Sequence, residues 1–168
     1  GPMKRNLLFH CYPLKGDGWK RHVEQLALRR PIWNGRRIVS VVLGAGTEDP
    51  FNVAAILKPL DAEIIFRTNQ GGLAETKYFI ETLSSLRSCD PMEATFYAHT
   101  KGVTRVHDPA IYRNTWAWSL AMYQLCLDRP DFIDQVLSRF ATCGAFRQPA
   151  LNGAPWYFSG TFFWIRHE

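Results

Sequence analysis

The chain has 168 residues, 46% of them hydrophobic and 21% charged, the balance of one globular domain with its own core rather than a disordered or fibrous chain. No apolar run approaches the roughly 20 residues of a membrane span, and no secretory signal pattern opens the sequence. The net charge of +5 suits a polyanionic partner, a phosphate-bearing ligand or peripheral contact with an anionic membrane surface. The basic residues are scattered, with pairs such as Lys4-Arg5, Arg29-Arg30 and Arg36-Arg37 but no long tract, so nothing specific points to nucleic acid.

Gly1-Pro2 ahead of Met3 reads as a protease-cleavage scar, which leaves one domain over residues 3–168. Cys11, Cys89, Cys126 and Cys143 are widely separated and form no CxxC pair. That argues against a zinc site or a disulfide framework and makes a reducing cytosol the expected setting. The oligomeric state is left open.

In chain order, residues 6–12 read as a strand closed by Pro13 and the turn residues Gly16-Asp17-Gly18. Trp19, Val23, Leu26 and Ala27 repeat at a helical period, predicting a helix over 19–30 that Pro31 and Asn34-Gly35 end. Residues 37–43 form a Val/Ile-rich strand leading to Gly44-Ala45-Gly46, and Asp49-Pro50 predicts a capped helix to about Leu60. A strand over 62–67 and a loop containing Gly71-Gly72 follow. The next helix, 73–87, is expected to turn Leu73, Phe79, Ile80, Leu83 and Leu86 to the core. The fourth strand ends at His99-Thr100-Lys101-Gly102. Asp108-Pro109 opens a long helix to Leu127, Arg129-Pro130 interrupts it, and 131–140 continue as another helix. Residues 142–147 and 156–165 are the last two strands. Strands alternating with helices predict an α/β domain, a mainly parallel twisted sheet with helices on both faces.

Several chemistries are not supported. There is no GxGxxG, no Walker A and no GxSxG. Gly44-Ala45-Gly46 reads as a tight turn. The segment 94–103 is different, because a β-favouring aromatic run stops abruptly at His-Thr-Lys-Gly. In open α/β sheets, ligands bind outside the carboxyl ends of the strands. Lys101 there offers a point charge, Thr100 and the Gly102 N–H offer donors, and His99 offers a donor or a metal ligand. Arg105 and His107 follow closely. The bland alternative is a strand end with a bonded histidine and a solvated lysine. In the apolar segment 156–164, Ser159, Gly160 and Thr161 read equally as a bulge in a buried strand or as the wall of a pocket. Glu75 opens its helix, where a carboxylate suits the helix dipole or reaches a ligand hydroxyl.

The two segments together resemble the small GT-A-type glycosyltransferases of bacterial surface-polysaccharide clusters and large algal viruses. That family carries a strand ending in His-Thr-Lys-Gly and a later segment close to His-Phe-Ser-Gly-Asn-Phe-Trp-Trp. The first is intact at positions 99–102. In the second, Tyr157 stands for His, Thr161 for Asn and Phe163 for the first Trp. Glu75 and Thr82-Leu83 also resemble the helix ahead of the family's central strand.

The resemblance implies a GT-A-like fold and transfer of a sugar from a UDP-, dTDP- or GDP-sugar to a glycan or polysaccharide hydroxyl, with inversion weakly favoured. His99, Thr100, Lys101, Gly102, Arg105 and Glu75 would lie on the donor side, with Ser159, Gly160 and Thr161 on the sugar or acceptor side. GT-A enzymes usually hold Mn²⁺ or Mg²⁺ with an Asp-x-Asp, which this chain lacks. Either Lys101 neutralises the diphosphate alone, or His99 binds a metal with help from elsewhere. The base is expected at Glu168 or, preferably, beyond the end of this chain. The alternatives are a non-catalytic glycan- or partner-binding module on a degenerate glycosyltransferase fold, and an unrelated phosphate-binding α/β protein.

Overall fold

The computed structural model describes residues 2–69, 74–86, 88, 90–105, 107–145, 147–148, 157–158 and 162–168. Four strands and five helices come first among the described residues, alternating as far as α4: β1 Lys4–Cys11, α1 Gly18–Leu28, β2 Arg37–Leu43, α2 Pro50–Leu57, β3 Glu63–Thr68, α3 Ala74–Leu86, β4 Glu93–His99, α4 Pro109–Leu127 and α5 Pro130–Leu137. The remaining strands are short: β5 Thr142–Gly144, β6 Arg147–Gln148, β7 Tyr157–Phe158 and β8 Phe163–Arg166.

Six strands form one sheet in the order β3-β2-β1-β4-β8-β5, and β6 and β7 pair separately. The pairs β3–β2, β2–β1 and β1–β4 are parallel, as the helical crossovers require. The expected parallel character fails at the other end. There β8 runs antiparallel to both neighbours and sits between β4 and β5. The predicted strand over 156–165 is in fact two, β7 and β8. The sheet is therefore mixed.

Side-chain alternation explains the two layers. Leu7, Phe9 and Cys11 of β1, Val39 and Val41 of β2, and Ala94, Phe96 and Ala98 of β4 face one way. They pack with Trp19, Val23 and Leu26 of α1, Val53 and Leu57 of α2, Met122, Tyr123 and Cys126 of α4, and Ile133 and Leu137 of α5. Leu8, Ile38 and Tyr97 face the other way, against Leu86 and Phe79 of α3. Helices thus cover both faces, four on one and α3 on the other. Within α3 the expected core face is shifted. Tyr78, Thr82 and Leu86 are buried, whereas Ile80 is 56% exposed, because a single sheet face admits only the i, i+4, i+8 stripe.

Caps set several boundaries. Asp49 accepts from the Phe51 and Asn52 amides, and Asp108 accepts from the Ile111 amide, each ahead of a proline at the first helical position. Pro31 and Pro59 convert the expected ends of α1 and α2 into short 3₁₀ turns, Arg30–Ile32 and Lys58–Leu60.

Trp164 anchors β8. It is fully buried between Trp33 and Phe96, and its Nε1 donates to the Cys126 carbonyl at 2.8 Å. Trp164→Ala should cost about 3–5 kcal/mol in guanidinium denaturation. A loss below about 1 kcal/mol would show that β8 stands outside the cooperative core.

Candidate functional site

The carboxyl ends of β1 and β4 lie side by side, with His10 directly opposite His99. The Thr100 amide donates to the His10 carbonyl at 3.2 Å, and the Thr100 hydroxyl accepts from the Tyr12 amide at 3.0 Å. Thr100 thus ties the two strand ends together. The chain then turns sharply. Lys101 donates to the His99 carbonyl at 2.8 Å, Gly102 takes φ +82°, and a 3₁₀ turn runs over Val103–Arg105.

A cleft of about 440 Å³ opens at this edge, within the usual size of small-molecule sites. His10 and Tyr12 after β1, Asn69 after β3, Glu75 of α3, and His99, Thr100 and Lys101 after β4 supply its polar wall. The Tyr97 hydroxyl donates to Glu75 in a short bond, and His99 Nδ1 lies 3.9 Å from the same carboxylate. Asn69 donates to the Tyr12 hydroxyl at 3.3 Å. Behind them Arg67 donates to Ser40, Glu81 and Thr82 and lies over the Tyr78 ring.

The cleft wall carries one cation, Lys101, and one carboxylate, Glu75. Burial pushes His99 down to about 4, with Lys101 and His10 adding to the shift and Glu75 opposing it. His10 is lowered by burial, against the pull of Glu75. Both imidazoles are therefore neutral near pH 7. Burial, with Glu75 adding to it, keeps the Tyr97 phenol protonated. Among the described residues Lys101 has no carboxylate within salt-bridge distance, whereas Arg5, Arg29, Arg30, Arg36 and Arg37 all do. Among the described residues no three His, Cys, Asp or Glu side chains are placed to hold a metal ion.

The sequence-derived candidates divide clearly. His99, Thr100, Lys101, Gly102 and Glu75 share the cleft. Gly102 answers to packing as well as to its backbone angle, since a Cβ there would lie 2.5 Å from Thr115 Cγ2. Arg105 is exposed on the following turn, outside the lining. Ser159, Gly160 and Thr161 lie outside the described residues. Their neighbour Phe162 is buried with its ring 5.4 Å from His99 and 4.8 Å from Tyr123. The two motif segments thus meet at that contact.

Glu168 requires a correction. Ala94 pairs with Arg166, and the His167 amide donates to the Glu93 carbonyl, so Glu168 is exposed beyond the amino end of β4. His99 is six residues further along that strand, about 20 Å away. Glu168 does not reach the cleft. A second cavity, about 220 Å³, lies at that amino edge between α3 and β8. Its polar neighbours are already engaged: His167 contacts Ser88 and Thr95, and Arg166 donates to Leu137 and Glu168 carbonyls.

Sequence reasoning missed His10, Tyr12, Asn69 and His22. The strand-end rule that singled out Lys101 applies equally to His10 and Tyr12, and a histidine inside the apolar stripe of α1 was the available sign for His22.

Comparison with family models, with curated proteins and with solved structures returns no significant match. The geometry therefore carries the functional argument.

Two outcomes follow. Gly102→Ala should lose about 1–2 kcal/mol from the left-handed backbone alone, plus a steric part. Adding Thr115→Ala should recover only the steric part in a double-mutant cycle; full recovery would mean φ is not strained. For pH, the unfolded chain protonates its histidines below the ordinary 6.5, whereas His99 stays neutral down to about 4 and His22 to about 3 in the fold. Stability is then complete above about pH 6.5 and falls as pH drops through that window, because the unfolded state binds the extra protons. The denaturation midpoint should drop between pH 7.5 and pH 5 in wild type and less in His99→Gln. Equal drops would remove His99 from the effect.

Proposed function

We propose that this chain is a nucleotide-sugar-dependent glycosyltransferase domain of GT-A type that binds its donor at the carboxyl ends of β1 and β4. One observation carries the reading. The intact His99-Thr100-Lys101-Gly102 segment ends a central parallel strand on a cleft of about 440 Å³, with Phe162 from the second motif against His99. The position suits a phosphate-bearing ligand, and an ammonium with no carboxylate partner among the described residues suits a diphosphate.

The residues divide the work as follows. Lys101 faces the diphosphate. As the acceptor oxygen bonds to the anomeric carbon, the bond from that carbon to the diphosphate breaks and its electron pair passes to the phosphate oxygen. Lys101 stabilises that developing charge electrostatically. Glu75, held by Tyr97, and the neutral His10 and His99 offer hydrogen bonds to ligand hydroxyls. The hydroxyl proton goes to a base other than Glu168. Of the metal-ligating types that line the cleft, His99 lies 3.9 Å from Glu75 and His10 pairs with His99 across the strands, and no step is routed through a metal. The partners are a UDP-, dTDP- or GDP-sugar and a glycan or polysaccharide acceptor, in a role in polysaccharide biosynthesis. A cytoplasmic setting belongs to the same proposal. Cys11, Cys126 and Cys143 are free thiols, which a reducing compartment maintains. No helix of the described residues is long and apolar enough to cross a membrane.

The placement of Glu168 away from the cleft favours one second reading, a module that binds a glycan or partner without turnover. Thermal shift with UDP, dTDP and GDP, with and without Mn²⁺, separates the two. A ligand at 100 times its Kd should stabilise wild type by roughly 2.7 kcal/mol, and Lys101→Ala should lose the shift. A nucleotide shift without sugar transfer would leave a donor-binding module, and no shift from any nucleotide would sink the transferase reading.

A further inference from the structure

The buried face of α1 carries Trp19, Val23 and Leu26, with His22 among them. His22 is 1% exposed. Its Nε2 lies 3.1 Å from the Lys101 carbonyl oxygen and its Nδ1 lies 2.6 Å from the Tyr123 hydroxyl. A carbonyl can only accept, so Nε2 carries the proton and donates. Burial lowers His22 to about 3, outweighing that bond. The ring is therefore neutral, and Nδ1 accepts from Tyr123. Tyr123 is buried completely, and burial holds its phenol protonated. The hydrogen bonds thus run one way, from Tyr123 to His22 to Lys101. The Trp116 ring meets the imidazole edge-on at 5.3 Å and Phe162 lies at 6.2 Å, which hold its orientation.

A hydrocarbon side chain would fill this place without desolvating an imidazole. What the imidazole adds is a hold on one backbone carbonyl, that of the residue bearing the cleft's cation. We infer that His22 is a positioning residue: through the Lys101 carbonyl it fixes the turn that presents Lys101 to an anionic ligand. The turn is then held from three sides, by His22 at Lys101, by Thr115 packed against Gly102, and by the Tyr12 amide on Thr100. The ligand part of this inference rests on the donor-site reading, but the hold on the turn does not.

The test compares wild type, His22→Phe, His22→Gln and a stability control, Leu137→Ala, whose site is buried in α5 away from the turn. Hydrogen exchange of the 101–104 amides and affinity for UDP, dTDP and GDP are measured on each. His22→Phe should exchange those amides on the order of tenfold faster and bind the preferred nucleotide on the order of tenfold more weakly. His22→Gln, whose amide can donate to the same carbonyl, should recover part of both. Leu137→Ala should lose global stability yet keep the affinity. Wild-type exchange in His22→Phe, or an equal affinity loss in Leu137→Ala, would overturn the inference. Should wild type bind no nucleotide, the donor-site reading fails and the exchange data still decide the role of His22. If His22→Phe does not fold, Tyr123→Phe replaces it: the Lys101 carbonyl alone should keep the His22 ring in the Nε2-protonated tautomer by its ¹⁵N shifts, and a mixture of tautomers would overturn the inference.

Discussion

The pairing of β1 with β4 is the constraint on which the rest depends. Seven consecutive residue pairs, from Lys4 with Glu93 to His10 with His99, lock the register of the two central strands. A slip of one residue would swap Phe96 and Ala98 with Tyr97 and His99 between the two faces. The first pair belongs to the core beneath α1 and α4, and the second belongs to the α3 side and the cleft. Register therefore decides core and site together. Buried polar contacts at both ends hold it. At the amino end Asn6 donates to Glu93 at 2.8 Å, and at the carboxyl end Thr100 bridges His10 and Tyr12. An unpaired buried group at either end would cost more than a bond gains, so mispairing is penalised twice.

The parallel half of the fold was legible because crossover helices and continuous apolar strands leave strong local signals, as in 37–43 and 94–99. The antiparallel pairing at the other end of the sheet was not. β8 is four residues long and owes its place to Trp164 filling a hole between Trp33 and Phe96. That is a tertiary fact with no local period. Ile80 shows the same limit within a helix, since the apolar count of α3 does not reveal which stripe the sheet receives. At the site, the strand-end rule found Lys101 and its neighbours. Glu168 was assigned by order along the chain, and an antiparallel β8 sends a residue after it to the wrong edge. His22 escaped because it acts through a backbone atom, which no side-chain motif records.

The two edges of the sheet also differ in how their charge is balanced. Lys4-Arg5 and Arg36-Arg37 begin β1 and β2, and Arg29-Arg30 leads into β2 from α1, so these three basic pairs gather at the amino edge. Five arginines there meet Asp61, Glu63, Asp128 and Asp134. Exposed pairs of this kind contribute little individually, but they leave the edge compensated. It is a poor polyanion surface despite its composition. At the carboxyl edge the neighbouring imidazoles are neutral and the phenol is protonated, so Lys101 and Glu75 are the charged groups on the cleft wall, with Arg67 behind them. A cation and a carboxylate on one wall, with neutral donors between them, match a ligand that is anionic at one end and hydroxylated at the other. Net charge alone had allowed nucleic acid, a membrane or a phosphate ligand. The proposed donor site takes up the last.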